Sequence, residues 1–84
     1  MGIVYSPRFL RSFEKLSGEI RDEFRLREII FRENKFDPRL KTHKLKGHKE
    51  WSFIITYKIR VIFLFEKDLI LFVNIGDHSI YRKE

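Results

Sequence analysis

The sequence contains no cysteine, which excludes disulfide staples, thiolate metal sites and thiol nucleophiles, and fits a reducing compartment. No apolar run approaches the roughly 20 residues of a membrane span. No leader with a charged start, an apolar stretch and a small-residue cleavage site opens the chain. A cytoplasmic protein without a membrane segment is therefore expected. His43, His48 and His78 do not stand at metal-ligand spacing, and no second cluster of His, Asp or Glu accompanies them, so neither a metal nor another cofactor is expected. A glycine-rich phosphate cradle is also missing, and Ser79 lacks the context of a nucleophile elbow. Met1-Gly2 followed by Ser6 matches a myristoylation pattern only formally. Ile3-Val4-Tyr5 reads instead as a strand and Ser6 as a helix cap.

What is present fits one small domain spanning residues 1–84, a length at which folding buries roughly 60% of the unfolded chain's surface. Eighteen Lys and Arg against 12 Asp and Glu give a net charge of +6. An excess of this size favours polyanions, through phosphate contacts and counterion release. Ser6-Pro7 supplies a cap and a proline at the first helical position. Phe9, Leu10, Phe13 and Leu16 then recur at helical spacing, which predicts a helix over about 7–16. Ser17-Gly18 breaks it, and Ser17 caps a second helix running to about Asn34. Its apolar side is Ile20, Phe24, Ile30 and Phe31 with Leu26, and its alternating Arg and Asp/Glu predict a solvated, ion-paired face. Phe36-Asp37-Pro38 ends the helical region.

Three apolar runs follow, at 51–57, 60–65 and 69–75, each rich in Ile, Val and Phe and separated by short polar breaks. They read as antiparallel strands. A further short strand is expected within 42–46. The order β-α-α-β-β-β-β predicts an α+β domain, with an N-terminal strand and a helical hairpin packed on a twisted antiparallel sheet of four to five strands. In the run 60–65, Val61, Phe63 and Phe65 alternate with Arg60, Ile62 and Leu64, so both faces are largely apolar. One helical hairpin covers only one face. The other is expected to be partly exposed, covered by a partner, or covered by a loop such as 35–41.

Past the last strand stand Gly76, Asp77, His78, Ser79 and Tyr81, polar and ionisable groups on a rigid strand end. RNA cleavage by side chains alone needs a base for the 2′-hydroxyl proton, an acid for the leaving 5′-oxygen and a cation for the phosphate. Histidine, arginine and a stacking tyrosine suit those tasks. Each candidate also has a plainer reading. Arg60 can be an edge charge reaching solvent on its long stem, His78 a surface histidine, Tyr81 simple packing, and His48 a turn residue.

Leu45-Lys46-Gly47, Trp51-Ser52, Arg60-Val61-Ile62-Phe63, Ile75-Gly76-Asp77-His78 and Tyr81, in this order and spacing, resemble the C-terminal half of the RelE/ParE toxin superfamily, and its RelE/YafQ-type ribonucleases in particular. With the N-terminal helices, the resemblance covers nearly the whole chain. It implies a toxin of a type II toxin–antitoxin system, an endoribonuclease that cuts mRNA on the ribosome and is silenced by a cognate antitoxin. It matches Arg60 to the arginine set against the scissile phosphate, and His78 to an acid–base histidine. Tyr81 falls near the C-terminal aromatic of the site, and His43 at a histidine or carboxylate before the first long strand. The candidate RNA-binding cations are Lys44, Lys46, Lys49, Lys58 and Arg82. The lysines that RelE carries after the tryptophan position are absent, with Ser52 and Ile54 standing near there. The long C-terminal helix of some members has no counterpart before Glu84. Two other readings share the fold: a ParE-like toxin that inhibits DNA gyrase, and a degenerate member that only binds an antitoxin. An acid–base pair such as His78 with Arg60 favours the nuclease, because gyrase binding needs none.

Overall fold

A computed structural model describes residues 2–81. The chain opens with strand β1 (Gly2–Tyr5), followed by helices α1 (Pro7–Glu14) and α2 (Gly18–Glu33). Both helix starts follow the sequence. The Ser6 hydroxyl accepts the Phe9 amide at 3.0 Å and the Ser17 hydroxyl accepts that of Ile20 at 3.2 Å, bonds typically worth about 1 kcal/mol each. A single 3-10 turn at Pro38–Leu40 leads to strand β2 (His43–Lys44), then β3 (Trp51–Ile54), β4 (Arg60–Phe65) and β5 (Leu69–Gly76), and a last 3-10 turn at His78–Tyr81.

The five strands form one sheet in the order β1-β5-β4-β3-β2. β2 to β5 pair antiparallel, and β1 lies parallel to β5. The sheet is thus mixed: the two helices connect β1 to the rest of the chain, so β1 can return beside β5 in the parallel sense. Strand 42–46 shrinks to His43–Lys44. The run 51–57 is also shorter than its composition suggests, because β3 ends at Ile54. The Thr56 hydroxyl accepts the amides of Lys58 and Ile59 at 3.1 and 3.0 Å and closes the turn there, a local competition that hydroxyl side chains often win against the ladder.

The core lies between the helices and one face of the sheet. Phe31 is fully buried, stacked on Phe53 at 4.7 Å and edge-on to Phe63 and Phe72 at 5.1 and 5.5 Å. Phe9 and Phe24 extend this aromatic layer beneath α1. The polar face of α2 is laced as expected, with Arg25–Asp22, Arg27–Glu23 and Arg32–Glu28 at 3.2, 3.0 and 3.3 Å; such surface pairs contribute little each. Leu26 does not join the core and is 59% exposed. It stands two residues after Phe24, a rotation of about 200° around the helix.

The opposite face of the sheet stays partly exposed, at Ile54, Leu64 and Leu71, and its remaining cover is not loop 35–41. Loop 35–41 sends Leu40 into the core on the helix side. Ile62, by contrast, is buried at 2% exposure yet stands outside the helix-side core. The His78–Tyr81 turn folds back onto this far face. Its Tyr81 hydroxyl lies 2.8 Å from that of Ser52, whose side chain is fully buried. A Cβ placed on Gly76 would come within 2.6 Å of Ile80 Cγ2, so Ile80 occupies the space that a side chain at 76 would need.

Candidate active site

The pairing register decides which predicted residues share the far face. His43 pairs with Ser52, and Ser52 with Ile62; one step along the sheet, Ile54 pairs with Arg60 and Arg60 with Gly76. Directly paired residues project to the same side. His43, Ser52, Ile62 and Arg60 therefore lie on one face, with Tyr81 bonded to it through Ser52. Two strand spacings and one pleat repeat separate the backbones of His43 and Arg60, roughly 12 Å, a gap that two long side chains and a nucleotide can span.

Arg60 sits at the start of β4, opposite the last residue of β5, and thus next to the turn that carries His78. Its Nη2 donates to the Tyr57 carbonyl at a long 3.4 Å. Its Nε is buried with no hydrogen-bond partner among the described residues. A guanidinium offers five donors in a fixed fork, and burying one unmet is costly unless an acceptor arrives. An anionic oxygen is the acceptor whose geometry matches. The plainer reading of Arg60, a charge snorkelling into solvent, does not account for the buried Nε.

An open groove of about 570 Å³ is lined by Tyr57, Lys58, Asp77, His78 and Ser79. It brings Lys58, on the β3–β4 turn, together with His78. The groove wall is held by local bonds. Asp77 Oδ1 accepts the Ser79 amide at 2.9 Å, and the Asp77 carbonyl accepts that of Ile80 at 3.1 Å. Hydrogen bonding from Ser79 holds the Asp77 carboxyl below its ordinary value, with the charge of His78 a smaller contribution. Asp77 therefore serves as an ionised staple of the turn. The ring of His78 meets that of Tyr81 edge to face at 5.6 Å.

His43 Nδ1 lies 3.0 Å from the Lys41 carbonyl. A carbonyl only accepts, so Nδ1 carries the proton in this bond, and in the neutral ring the Nε2 lone pair is the one that can take another. Lys41 holds its carbonyl in place from a left-handed conformation, φ 51. The other predicted cations are dispersed. Lys44 Nζ bonds the His48 carbonyl within the β2–β3 loop, while Lys46 and Lys49 are exposed on that loop. Arg82 lies outside the described residues. His48 is in the turn, as its sequence context suggests, but it also borders a small cleft with Leu45, Glu50, Ile62 and Tyr81. Ser52 and Ile80 escaped the sequence reading. Ser52 was visible only as the absence of a lysine, and its role depends on a partner 29 positions away.

No family model and no curated protein matches the sequence. Solved structures do match. The chain superposes on YafQ from E. coli strain BL21(DE3) with a TM-score of 0.79 at 14% identity, covering 96% of this chain and 97% of that one. The YoeB/ParE toxin from Agrobacterium tumefaciens gives 0.78 at 16% identity, covering 93% and 99%. A chain of the RelB–RelE antitoxin–toxin complex from Methanococcus jannaschii gives 0.77 at 20% identity, covering 96% and 98%. The fold of this chain is that of the RelE, YafQ and ParE toxins.

Proposed function

We propose that this protein is the toxin of a type II toxin–antitoxin pair and that it acts in the cytoplasm as an endoribonuclease on ribosome-bound mRNA. The observation that carries the reading is the buried, unpartnered Nε of Arg60 on a strand paired with the one that ends at the His78 turn. In this reading Arg60 binds the scissile phosphate and stabilises the charge that develops on it. His43 Nε2 takes the proton of the 2′-hydroxyl, and the 2′-oxygen attacks phosphorus. As the P–O5′ bond breaks, His78 protonates the departing 5′-oxygen, leaving a 2′,3′-cyclic phosphate and a 5′-hydroxyl. Tyr81, oriented by Ser52, positions the nucleotide. Lys44, Lys46, Lys49, Lys58 and Arg82 attract the RNA backbone.

The proposed silencing partner is an acidic antitoxin with an amphipathic helix. Its support is the net charge of +6, the exposed Leu26 and Ile29 on α2, and the likeness to a chain of the RelB–RelE antitoxin–toxin complex. Growth arrest on induced expression is the test. Arg60→Ala and His78→Ala should each abolish it at matched protein levels while leaving antitoxin binding intact, since loss of such a group typically costs about 10²–10⁴ in rate. Undiminished toxicity of both variants would remove the nuclease reading.

A further inference from the structure

Strand β5 breaks its own alternation. Ile70 and Phe72 enter the core two residues apart, and a regular strand would send Asn74 after them. Ile75 goes instead and is buried there. The pairing with β4 shows where the extra residue is taken up. Phe63 pairs with Phe72 but Ile62 pairs with Asn74, so Val73 is left over between them as a β-bulge. Beyond it Val61 meets Ile75 and Arg60 meets Gly76. Helix α1 fastens this bulge. The Ser6 hydroxyl, which also accepts the Phe9 amide, donates to the Val73 carbonyl at 2.7 Å. The Ser6 amide donates to the Phe72 carbonyl at 3.0 Å. The Ser12 hydroxyl donates to Asn74 Oδ1 at 2.7 Å, and the same oxygen accepts the Ile75 amide at 2.9 Å. An amide N–H only donates, so the oxygen end of the Asn74 carboxamide is the one turned to it.

We propose that Asn74 is a positioning residue of the candidate active site, and that with Ser12 it holds the bulge that sets His78 against Arg60. If β5 lost the bulge by slipping one residue along β4, Ile75 would leave the core and stand opposite Arg60. Directly paired residues share a face, so the Ile75 side chain would then lie on the far face, in the place that Ile80 takes over the bare Gly76. The His78–Tyr81 turn would lose its seat, Tyr81 would part from Ser52, and His78 would move by about 3.3 Å along the strand. The burial of Ile75 opposes the full slip. Asn74 and Ser12 restrain smaller excursions, because the Asn74 oxygen pins the backbone of the residue immediately before the Arg60–Gly76 pair. Asn74 thus acts through Gly76 and the turn, without meeting the substrate. Bulges beside functional sites re-aim side chains in this way, and a reacting group misplaced by about 1 Å can cost about 10²-fold in rate. The proposal rests on the RNA-cleavage reading and ties helix α1 to the geometry of that site.

Cleavage of ribosome-bound mRNA and heteronuclear NMR, both on the intact protein, test it together. Asn74→Ala should lower the cleavage rate at saturating ribosome complex by about 10- to 100-fold and leave the half-saturating concentration unchanged. Its NMR signals should move at Gly76, His78, Ile80 and Tyr81 and stay in place at residues 69–72. Asn74→Asp, which keeps the accepting oxygen, should restore most of the rate and of the spectrum. Ser12→Ala removes only the donor and should move the same signals by less, which keeps the test open if Asn74→Ala fails to fold. Ser17→Ala is the control: it loses the cap bond to Ile20 at the start of α2 and should neither slow cutting nor move the turn. A wild-type rate in Asn74→Ala would overturn the proposal. So would slow cutting with the turn unmoved, or no recovery in Asn74→Asp. If the wild-type protein cuts no RNA, the nuclease reading fails and the NMR alone decides: a displaced turn in Asn74→Ala upholds the positioning role of Asn74, and an unmoved one refutes it.

Discussion

The hydroxyls of Ser52 and Tyr81 meet at 2.8 Å across the far face of the sheet, and the two ends of that bond are not equivalent. Ser52 is fully buried, whereas Tyr81 keeps part of its surface in water. Tyr81→Phe leaves a buried hydroxyl without its partner, and should cost about 1–3 kcal/mol. Ser52→Ala leaves the Tyr81 hydroxyl free to hydrate and should cost about 0.5–1.5 kcal/mol. The double variant should lose less than the sum of the two, because both remove one bond. Urea unfolding of the three variants measures this; a larger loss for Ser52→Ala than for Tyr81→Phe would contradict the asymmetry.

Gly76→Ala should push the His78–Tyr81 turn off the sheet, since the new Cβ would lie 2.6 Å from Ile80 Cγ2. The strand itself should survive, so toxicity should fall with only a modest loss of stability. Ile80→Ala removes the obstructing methyl, and Gly76→Ala combined with it should regain the seating of Tyr81, read from the NMR shifts of its ring. Failure of the second substitution to restore any of that signal would show that the glycine matters for another reason.

Phe31 is the side chain whose loss the fold tolerates least. It is fully buried and packed against three other phenylalanine rings. Phe31→Ala should cost about 3–5 kcal/mol, a large share of the 5–15 kcal/mol that holds a typical domain together. Circular dichroism should show a chain unfolded, or with its melting temperature lowered by well over ten degrees. A near-wild-type melt would mean that the aromatic layer is not the core of the fold.

The Asp37 carboxyl is held at about 2, chiefly by the hydrogen bond from the Arg39 side chain and then by the Arg39 backbone amide. A folded-state value below the ordinary 3.8 means that the ionised form is favoured by folding. This contribution is complete above the ordinary value and is lost as pH falls through the folded one. Carboxyl chemical shifts should therefore titrate with a midpoint near 2, and Arg39→Ala should move it part of the way back, since the backbone bond remains. An unchanged midpoint in Arg39→Ala would contradict the assigned cause.

Local rules carried much of the fold. Ser6 and Ser17 announced both helices by cap chemistry, and the apolar run at 60–65 matched its strand residue for residue. Thr56 is where local reading stopped short: its hydroxyl ends β3 early, although Ile55, Thr56 and Tyr57 have strand composition. The two-sided apolar pattern of β4 correctly required a second cover. Nothing periodic in the sequence identified Tyr81 and Ile80 as that cover, because their partners Ser52 and Gly76 meet them only after the sheet has formed. The candidate site was legible in residue type at Arg60, His78 and His43. That His43 and Arg60 share one face follows from strand register, which the spacing of the runs left open.

The central claim is that the Arg60 face cuts RNA. Mapping mRNA 5′ ends after brief induction, in wild type and Arg60→Ala side by side, tests it most directly. The account predicts new 5′-hydroxyl ends at ordered positions within codons in wild type, and none in Arg60→Ala. Intact mRNA accompanied by chromosomal DNA breaks, or the same ends in both strains, would contradict it.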